Sequence, residues 1–285
     1  LARNGFGCWN LIDKDVLLPH NFIRHASTNI QEHTALNKAE ALSKQANELL
    51  SDNNFSKAFP SDVSSLNKSI LEQSDIVVDM STSIGAERYL ANEIEGPRKL
   101  SSFLNPSGTD LVMLTEDKEG LFPLDVLEIQ YYKELIQNSD LVGHLEFEQT
   151  NKIRYARGCR DITSKIPQEN LSIFSGISSK NFKKKLLSST ADIEIWRLDE
   201  FHSVKHFNFA IDKWSKVAIS DWTVLINETN LLNIISKHRN NKLPNETGGI
   251  LIGTVDSYYK KIYITHTILS PKDSIERPTL FIRGI

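Results

Sequence analysis

The apolar residues of this chain fall into two kinds of pattern. Short apolar runs, which are typical of buried strands, occur at residues 8–12, 74–80 and 110–114, and residues 191–198 alternate between apolar and polar as a strand does. Apolar residues that recur every three or four positions, which is the spacing of a helix with one buried face, occur at residues 35–49, 85–95, 123–138 and 168–187. This alternation of strand and helix continues to about residue 200 and predicts a mixed α/β domain.

The pattern changes after this point, and we place a domain boundary between residues 202 and 203. A helix is predicted from Asn227 to Arg239, followed by LPNETGGILIGTV, a turn, and the strand KIYITHTIL. The glycine pair at 248–249 allows two backbone segments to approach closely where a strand begins. His202 and His206 lie in a stretch with strand character, and we interpret them as ordinary surface histidines.

The amino-acid composition is that of a globular protein and gives no sign of a nucleic-acid-binding or membrane protein. The chain has 285 residues, enough for two domains, and its 40% hydrophobic and 24% charged residues are typical of a globular protein. A net charge of −3 gives no electrostatic footprint for nucleic acid or an anionic membrane. No apolar run reaches the length that spans a bilayer. The two cysteines are far apart in sequence, which favours the reducing cytoplasm over a disulfide framework.

Candidate chemistry begins directly after the first predicted strand. Asp13 and Asp15 follow that strand, where an acidic residue of a dinucleotide-binding unit accepts hydrogen bonds from a ribose. The loop PHN then leads to Arg24, whose guanidinium can hold a phosphate. The alternative interpretation is an acidic turn with a solvated arginine.

The whole stretch resembles the adenylating domain of the ThiF/MoeB/HesA family, relatives of the ubiquitin-activating enzymes. The resemblance rests on the strand ending in LID-x-D, on PHN and RH, and on a lysine about fourteen residues later. It implies a Rossmann-like ThiF sheet domain over residues 1–202 and ATP-dependent adenylation of a carrier protein. By this resemblance Asp15 binds the ATP ribose, and Asn21, Arg24 and Lys38 reach the phosphates. Without the motif, Lys38 would be interpreted as a surface lysine.

Asp79 ends the predicted strand SDIVVDM, at the strand end that borders a ligand crevice. The family resemblance implies that it holds Mg²⁺ on the triphosphate, which suits an ion that takes few protein carboxylates. The alternative is that Asp79 caps the helix that follows.

Cys159 lies between Arg157 and Arg160, and cationic neighbours raise the thiolate fraction of a thiol. The resemblance implies that this thiol accepts the activated carrier as a thioester. The alternative is an inert, half-buried cysteine. The CxxC pairs that bind structural zinc in many relatives are absent from the sequence, so we predict no zinc in this domain.

The last eighty residues resemble the JAB/MPN/JAMM metallopeptidases through a helix, the motif ETGGxLxG and a hairpin. This implies that residues 203–285 form the N-terminal part of an α+β JAB domain with Glu246 as general base. The family's zinc ligands come from a later HxH and an Asp, but only His266 follows Glu246 here. We therefore expect Zn²⁺ only in a complete JAB domain.

Together the resemblances imply an enzyme truncated at both ends, because the glycine-rich phosphate loop is also missing from its start. They imply activation of the C-terminus of a ubiquitin-like or sulfur-carrier protein, with ATP and Mg²⁺, in a bacterial ubiquitin-like system. A conjugating-enzyme partner and a homodimer are further expectations, and nucleic acid and membrane are not expected partners. The alternatives are a zinc metallo-isopeptidase and a non-catalytic scaffold that binds the carrier.

Overall fold

The chain folds into two compact units, which are described separately. The structure, a computed structural model, describes residues 1, 4–22, 32, 35–52, 54–146, 152–154, 162–164 and 166–285. The first unit comprises residues 1–124 and 142–208, and the second comprises residues 125–141 and 209–285. The domain boundary between residues 202 and 203 stays a prediction.

Strands and helices alternate along most of the chain. The strands are β1 Trp9–Ile12, β2 Ser56–Phe59, β3 Ile76–Asp79, β4 Arg98–Leu104, β5 Asp110–Thr115, β6 Lys152–Arg154, β7 Ile162–Ser164, β8 Asp192–Leu198, β9 Val204–Phe209, β10 Trp214–Ile219, β11 Trp222–Asn227, β12 Gly249–Asp256, β13 Lys261–Leu269, β14 Ile275–Arg277 and β15 Leu280–Ile282. The helices are α1 Lys38–Leu50, α2 Lys68–Glu72, α3 Ile84–Glu93, α4 Leu124–Gln137, α5 Gln168–Leu187 and α6 Asn233–Lys242. The predicted mixed α/β class is confirmed.

The first unit contains parallel and antiparallel strand neighbours. β1 pairs with β2 in parallel as a separate two-stranded sheet. A five-stranded sheet has the order β3-β4-β5-β8-β9, in which β3 and β4 are parallel and the β4-β5 and β5-β8 pairs are antiparallel. Apolar periodicity does not report strand direction, because a strand buried on both faces shows the same run in either orientation. The described strands therefore differ from the all-parallel sheet of a simple Rossmann-like unit.

The core of the five-stranded sheet is covered by α5, which begins and ends at the predicted residues 168 and 187. Phe174 and Phe182 of this helix are buried against Leu100, Met113 and Trp196 of the sheet. Two aromatic residues of α5 thus pack onto three adjacent strands of this sheet, β4, β5 and β8.

The second unit is built around α4, which Pro123 starts as predicted. Val126 and Ile129 pack against Leu225 and Tyr263 of a four-stranded sheet with the order β10-β11-β13-β12. The sequence predicted the hairpin of β12 and β13 correctly. No helix in the described part of the chain is both long and apolar enough to cross a membrane.

The two adjacent glycines that precede and start β12 lie against neighbouring segments, as predicted. A side-chain carbon placed on Gly248 would lie 2.5 Å from Phe281 Cε1, and one on Gly249 would lie 2.8 Å from the carbonyl oxygen of Ile268. Any larger residue would therefore push the β13 backbone or the Phe281 ring away.

Candidate functional site

The first group of candidate residues lies where β1 ends. After Ile12, Asp13 turns the chain because its Oδ1 accepts a hydrogen bond from the Asp15 N–H at 2.8 Å. The Asp15 side chain is 43% exposed, so its carboxylate remains accessible to a ligand. Both carboxylates thus follow the carboxyl end of a parallel strand, as the sequence predicted.

Asn37 brings the start of α1 to this turn. Its Oδ1 accepts hydrogen bonds from the N–H groups of Ala39 and Glu40 at 2.8 and 3.3 Å, which caps the helix. Its Nδ2 donates to the carbonyl oxygens of Asp13 and Asp15 at 2.7 and 3.0 Å. One side chain therefore fixes both the helix start and the acidic turn.

Lys38 is the first residue of α1, and this arrangement places it beside Asp15. Its Nζ lies 3.2 Å from Asp15 Oδ2, and its backbone N–H donates to the Asp15 carbonyl at 2.8 Å. A pair this exposed contributes at most about 1 kcal/mol to stability. The pair matters for its position, because it places a cation and an anion side by side at the carboxyl end of β1.

The loop after Asp15 contains the two other predicted phosphate contacts. Asn21 ends a 3₁₀ turn, Pro19–Asn21, and its Oδ1 accepts a hydrogen bond from the Leu18 N–H at 2.9 Å. That bond uses the amide oxygen to hold the turn. Arg24 lies outside the described residues.

Asp79 ends β3 and is 7% exposed. Its Oδ1 accepts a hydrogen bond from the Ser81 N–H at 2.8 Å. The alternative that Asp79 caps the next helix is wrong, because Ser83 is the N-cap of α3 and accepts from the Ala86 N–H.

A second carboxylate, which the sequence analysis missed, lies near Asp79. Ser101 is the β4 neighbour of Asp79 in the parallel pair, and its hydroxyl donates to Glu87 Oε2 at 3.1 Å. Glu87 is 6% exposed and lies in the first turn of α3. A burial pattern alone does not reveal such a residue, since a glutamate in a helix is usually solvated.

The donor set at Asp79 fits magnesium better than a metal held by several protein ligands. Among the described residues, no group of three His, Cys, Asp or Glu side chains could hold a metal ion. Mg²⁺ needs only one or two carboxylates when phosphates supply the other ligands. Asp79 can provide one such carboxylate, whereas the three protein ligands that catalytic zinc requires are not found in these parts of the chain.

Of the two cysteines, only Cys8 lies within the described residues, where it is an exposed free thiol. Cys159 lies outside them. The strands on either side of it, β6 and β7, form an antiparallel pair.

Glu246 is exposed and lies in the loop before β12. Its N–H donates to the Arg277 carbonyl at 2.9 Å, and its carboxylate has no polar partner among the described residues. His266 lies with its Nε2 2.8 Å from Gln137 Nε2 and its Nδ1 2.8 Å from Thr265 Oγ1. The described residues around Glu246 therefore do not fit a zinc ion.

A polar cluster beside Glu246 was not predicted. The hydroxyls of Thr247 and Ser270 donate to Glu276 Oε1 at 2.7 and 2.9 Å, and His238 Nε2 lies 2.8 Å from the Thr247 hydroxyl. Hydrogen bonds from Lys242 and then Thr247 lower the pKa of Glu276 to about 2. A carboxylate with this pKa is a poor proton acceptor at neutral pH. The hydrogen bonds of the cluster join the loop before β12 to α6 and to β14.

His206 lies at the surface, as predicted, with a side chain that is 43% exposed, but it also has specific partners. Its Nε2 lies 3.1 Å from Glu194 Oε1, and its ring stacks on Trp196 with the ring centres 4.7 Å apart. Glu194 also pairs with the buried Lys185. His202 is exposed, as predicted.

Comparisons with known proteins give only distant similarities. No protein-family model matches the sequence, and no curated protein matches it. A crystal structure of E. coli MccB with ATP is 13% identical, with a TM-score of 0.44, over 73% of this chain and 57% of that chain. A crystal structure of E. coli MccB with AMPCPP and MccA is 12% identical, with a TM-score of 0.44, over 73% of this chain and 57% of that chain. A crystal structure of PaaA is 13% identical, with a TM-score of 0.43, over 73% of this chain and 73% of that chain.

This chain thus spans little more than half the length of the MccB chains that it matches. Similarities at this level assign neither an activity nor a substrate. The functional argument therefore rests on the residues described above.

Proposed function

We propose that this chain takes part in the ATP-dependent adenylation of the C-terminus of a ubiquitin-like or sulfur-carrier protein. The observation that carries the proposal is the Asp15–Lys38 pair, with Lys38 Nζ 3.2 Å from Asp15 Oδ2 at the end of β1. A carboxylate here can accept hydrogen bonds from ribose hydroxyls, and the adjacent ammonium can contact phosphate oxygens.

The proposed reaction joins the carrier to AMP. A carboxylate oxygen of the carrier attacks the α-phosphorus of ATP, a C–O–P linkage forms, and the bond to the β-phosphate breaks to release pyrophosphate. Lys38 offsets charge on the phosphates, and Asp15 fixes the ribose so that the α-phosphorus is presented to the attacking oxygen. Asp79 would hold Mg²⁺, which reduces the negative charge of the triphosphate when bound.

A second step would use Cys159. Its thiolate attacks the acyl carbon of the adenylate, a thioester forms, the bond to AMP breaks, and AMP leaves. The sequence motif supports this step, since Arg157 and Arg160 flank the thiol. A conjugating-enzyme partner, a homodimer and a cytoplasmic location are proposals that follow from the family resemblance.

The test compares two lysines, of which Lys38 pairs with Asp15 and Lys14 pairs with Asp62. Calorimetric titration with Mg·ATP is measured for Lys38→Met and for Lys14→Met, because Lys14 forms a comparable exposed pair with Asp62. Loss of one charge-assisted phosphate contact weakens binding about 10–100-fold. We expect this loss for Lys38→Met and none for Lys14→Met. Equal affinities of both variants would refute the nucleotide assignment.

Carrier-dependent ATP–pyrophosphate exchange then tests the reaction itself. Asp15→Asn and Asp79→Asn should both abolish exchange, with a panel of ubiquitin-like and sulfur-carrier proteins as substrates. A carrier that binds tightly while no exchange occurs would favour the non-catalytic scaffold.

A zinc metallo-isopeptidase is the second candidate function. It is favoured by the exposed Glu246 carboxylate, which lies in the loop that leads into the predicted β12–β13 hairpin. This activity requires zinc ligands in addition to those of the described residues. Cleavage of a ubiquitin-like fusion in the presence of zinc, and its loss in Glu246→Gln, would support it. Cleavage that survives Glu246→Gln would exclude Glu246 as the base.

A further inference from the structure

The first unit has an open surface cavity of about 460 Å³ along the helix α5. Small-ligand sites usually have volumes of about 300–1,000 Å³. The residues that line this cavity include Asn4, Gly176, Ser179, Lys180, Lys183 and Lys184. With about 3.6 residues in each turn, the residues from α5 share one stripe of the helix, on the side away from the buried Phe174 and Phe182.

The charged residues that line the cavity are all lysines. In the described part of the chain, no carboxylate therefore balances the charge of Lys180, Lys183 and Lys184 within it. The helix dipole accounts for only part of this cluster, because its effect is confined to the last turn, and of the three lysines only Lys184 belongs to that turn. Residues three and four apart are neighbours on a helix, so these ammonium groups repel one another and attract an anion.

One of the three ammonium groups is held in place by an aromatic ring. Lys183 Nζ lies 5.0 Å from the centre of the Phe6 ring, which attracts a cation at this distance. The Phe6 ring in turn packs edge-on against Phe182, with the ring centres 6.2 Å apart. Because this contact restricts the lysine before any ligand arrives, less side-chain freedom is lost when an anion binds.

Gly176 lies in the interior of α5, where glycine is less favourable than alanine. A side-chain carbon at this position would meet nothing within 4 Å among the described residues, so packing of the helix does not require a glycine. The missing side chain instead leaves the cavity open beside the three lysines. This glycine is an observation independent of the charges, and it also indicates a ligand.

We propose that this cavity binds a small anion that carries two or more linked phosphate groups. Lysine binds phosphate as a point charge, and the Asn4 amide and the Ser179 hydroxyl can donate hydrogen bonds to phosphate oxygens. Lys180 and Lys184 lie about 6 Å apart along the helix axis, which favours two phosphates over one. The cavity shares no residue with the Asp15–Lys38 pair, so the inference holds whether or not adenylation occurs.

The test is calorimetric titration of the full chain with inorganic pyrophosphate, in a Lys38→Met background that weakens binding at the proposed nucleotide site. Inorganic phosphate and citrate are the comparison anions, and pyrophosphate should bind at least about tenfold more tightly than either. Lys180→Gln and Lys183→Gln should each weaken pyrophosphate binding about tenfold, because each removes one charge-assisted contact. Gly176→Glu should abolish binding, because it adds a negative charge where a side chain has room to enter the cavity.

Lys237→Gln is the matched control, because it removes an exposed lysine from another helix, α6, and changes the net charge by the same amount. It should leave the affinity for pyrophosphate unchanged. The proposal is overturned if the Lys38→Met parent does not bind pyrophosphate, or if citrate binds as tightly. It is also overturned if Lys237→Gln weakens binding as much as Lys180→Gln does, or if Gly176→Glu binds like its parent. If Gly176→Glu does not fold, the two lysine variants of the cavity decide the outcome.

Discussion

Arg98 is the residue whose replacement tests the packing of the first unit most directly. Its guanidinium donates to four backbone carbonyls: Glu116 at 2.5 Å, Lys185 at 2.5 Å, Ser188 at 2.7 Å and Thr190 at 2.7 Å. Two of these carbonyls belong to the last turn and the C-cap of α5, where backbone acceptors lack helical partners. Burial lowers the pKa of Arg98 from its usual value, but the group remains charged.

The cost of Arg98→Met follows from these four bonds. A hydrogen bond to a charged group contributes about 1.5–3 kcal/mol, and partial access of water reduces this to about 1 kcal/mol for each bond. We therefore expect a loss of about 4 kcal/mol in the free energy of local opening around α5, and about half of that for Arg98→Lys, which can reach fewer carbonyls.

Hydrogen exchange of α5 peptides measures this loss. A change of about 4 kcal/mol corresponds to exchange roughly a thousandfold faster. Lys68→Met is the control, because Lys68 pairs with Glu93 at an exposed site, where water and salt screen the pair and its contribution to stability is small. Exchange less than about tenfold faster in Arg98→Met would refute the four-carbonyl account.

Two further predictions concern buried carboxylates. The Tyr263 hydroxyl donates to the fully buried Asp125 at 2.5 Å. Tyr263→Phe should therefore destabilise the second unit by about 1–3 kcal/mol, which hydrogen exchange of α4 peptides would measure. Exchange at the same rate as in the unsubstituted chain would contradict this prediction. Burial opposes ionisation of Asp110, but hydrogen bonds from His144 and Arg197 outweigh it and leave its pKa below the usual value. The lowered pKa of Asp110 adds stability that is fully present above its unfolded value of about 3.9 and is lost as the pH falls through the folded value. Urea midpoints between pH 5 and pH 2 should therefore fall more steeply in the unsubstituted chain than in Asp110→Asn, and equal slopes would contradict this.

Elements with strong local signals were predictable. Pro123 and the apolar stripe after it predicted α4, and the structure has this helix from Leu124 to Gln137. Its buried polar residues were not predictable, because Asp125 meets Tyr263, a partner from a distant part of the chain. The strand β2 was also missed, since SKAF is short and half polar and is a strand only through its pairing with β1.

The candidate site was predictable where one motif defines it. Asp15 and Lys38 were selected from sequence, and the structure brings them together. The partners of the buried Asp110 were not predictable, because His144 and Arg197 reach it from remote positions, and sequence spacing carries no information about such contacts. The role of Glu87 was hidden for the same reason, since its partner Ser101 lies on another strand.

The two ends of the loop between Asp15 and Lys38 are joined by backbone hydrogen bonds. The Leu17 N–H donates to the Leu36 carbonyl at 2.8 Å, and the Ala35 N–H donates to the Leu17 carbonyl at 2.9 Å. Leu17 is fully buried below these bonds. Loop length adds little entropic cost once the ends are fixed. The contact between Asp15 and Lys38 should therefore survive insertions between residues 22 and 35, because the bonds that hold the two ends together do not involve the residues between them.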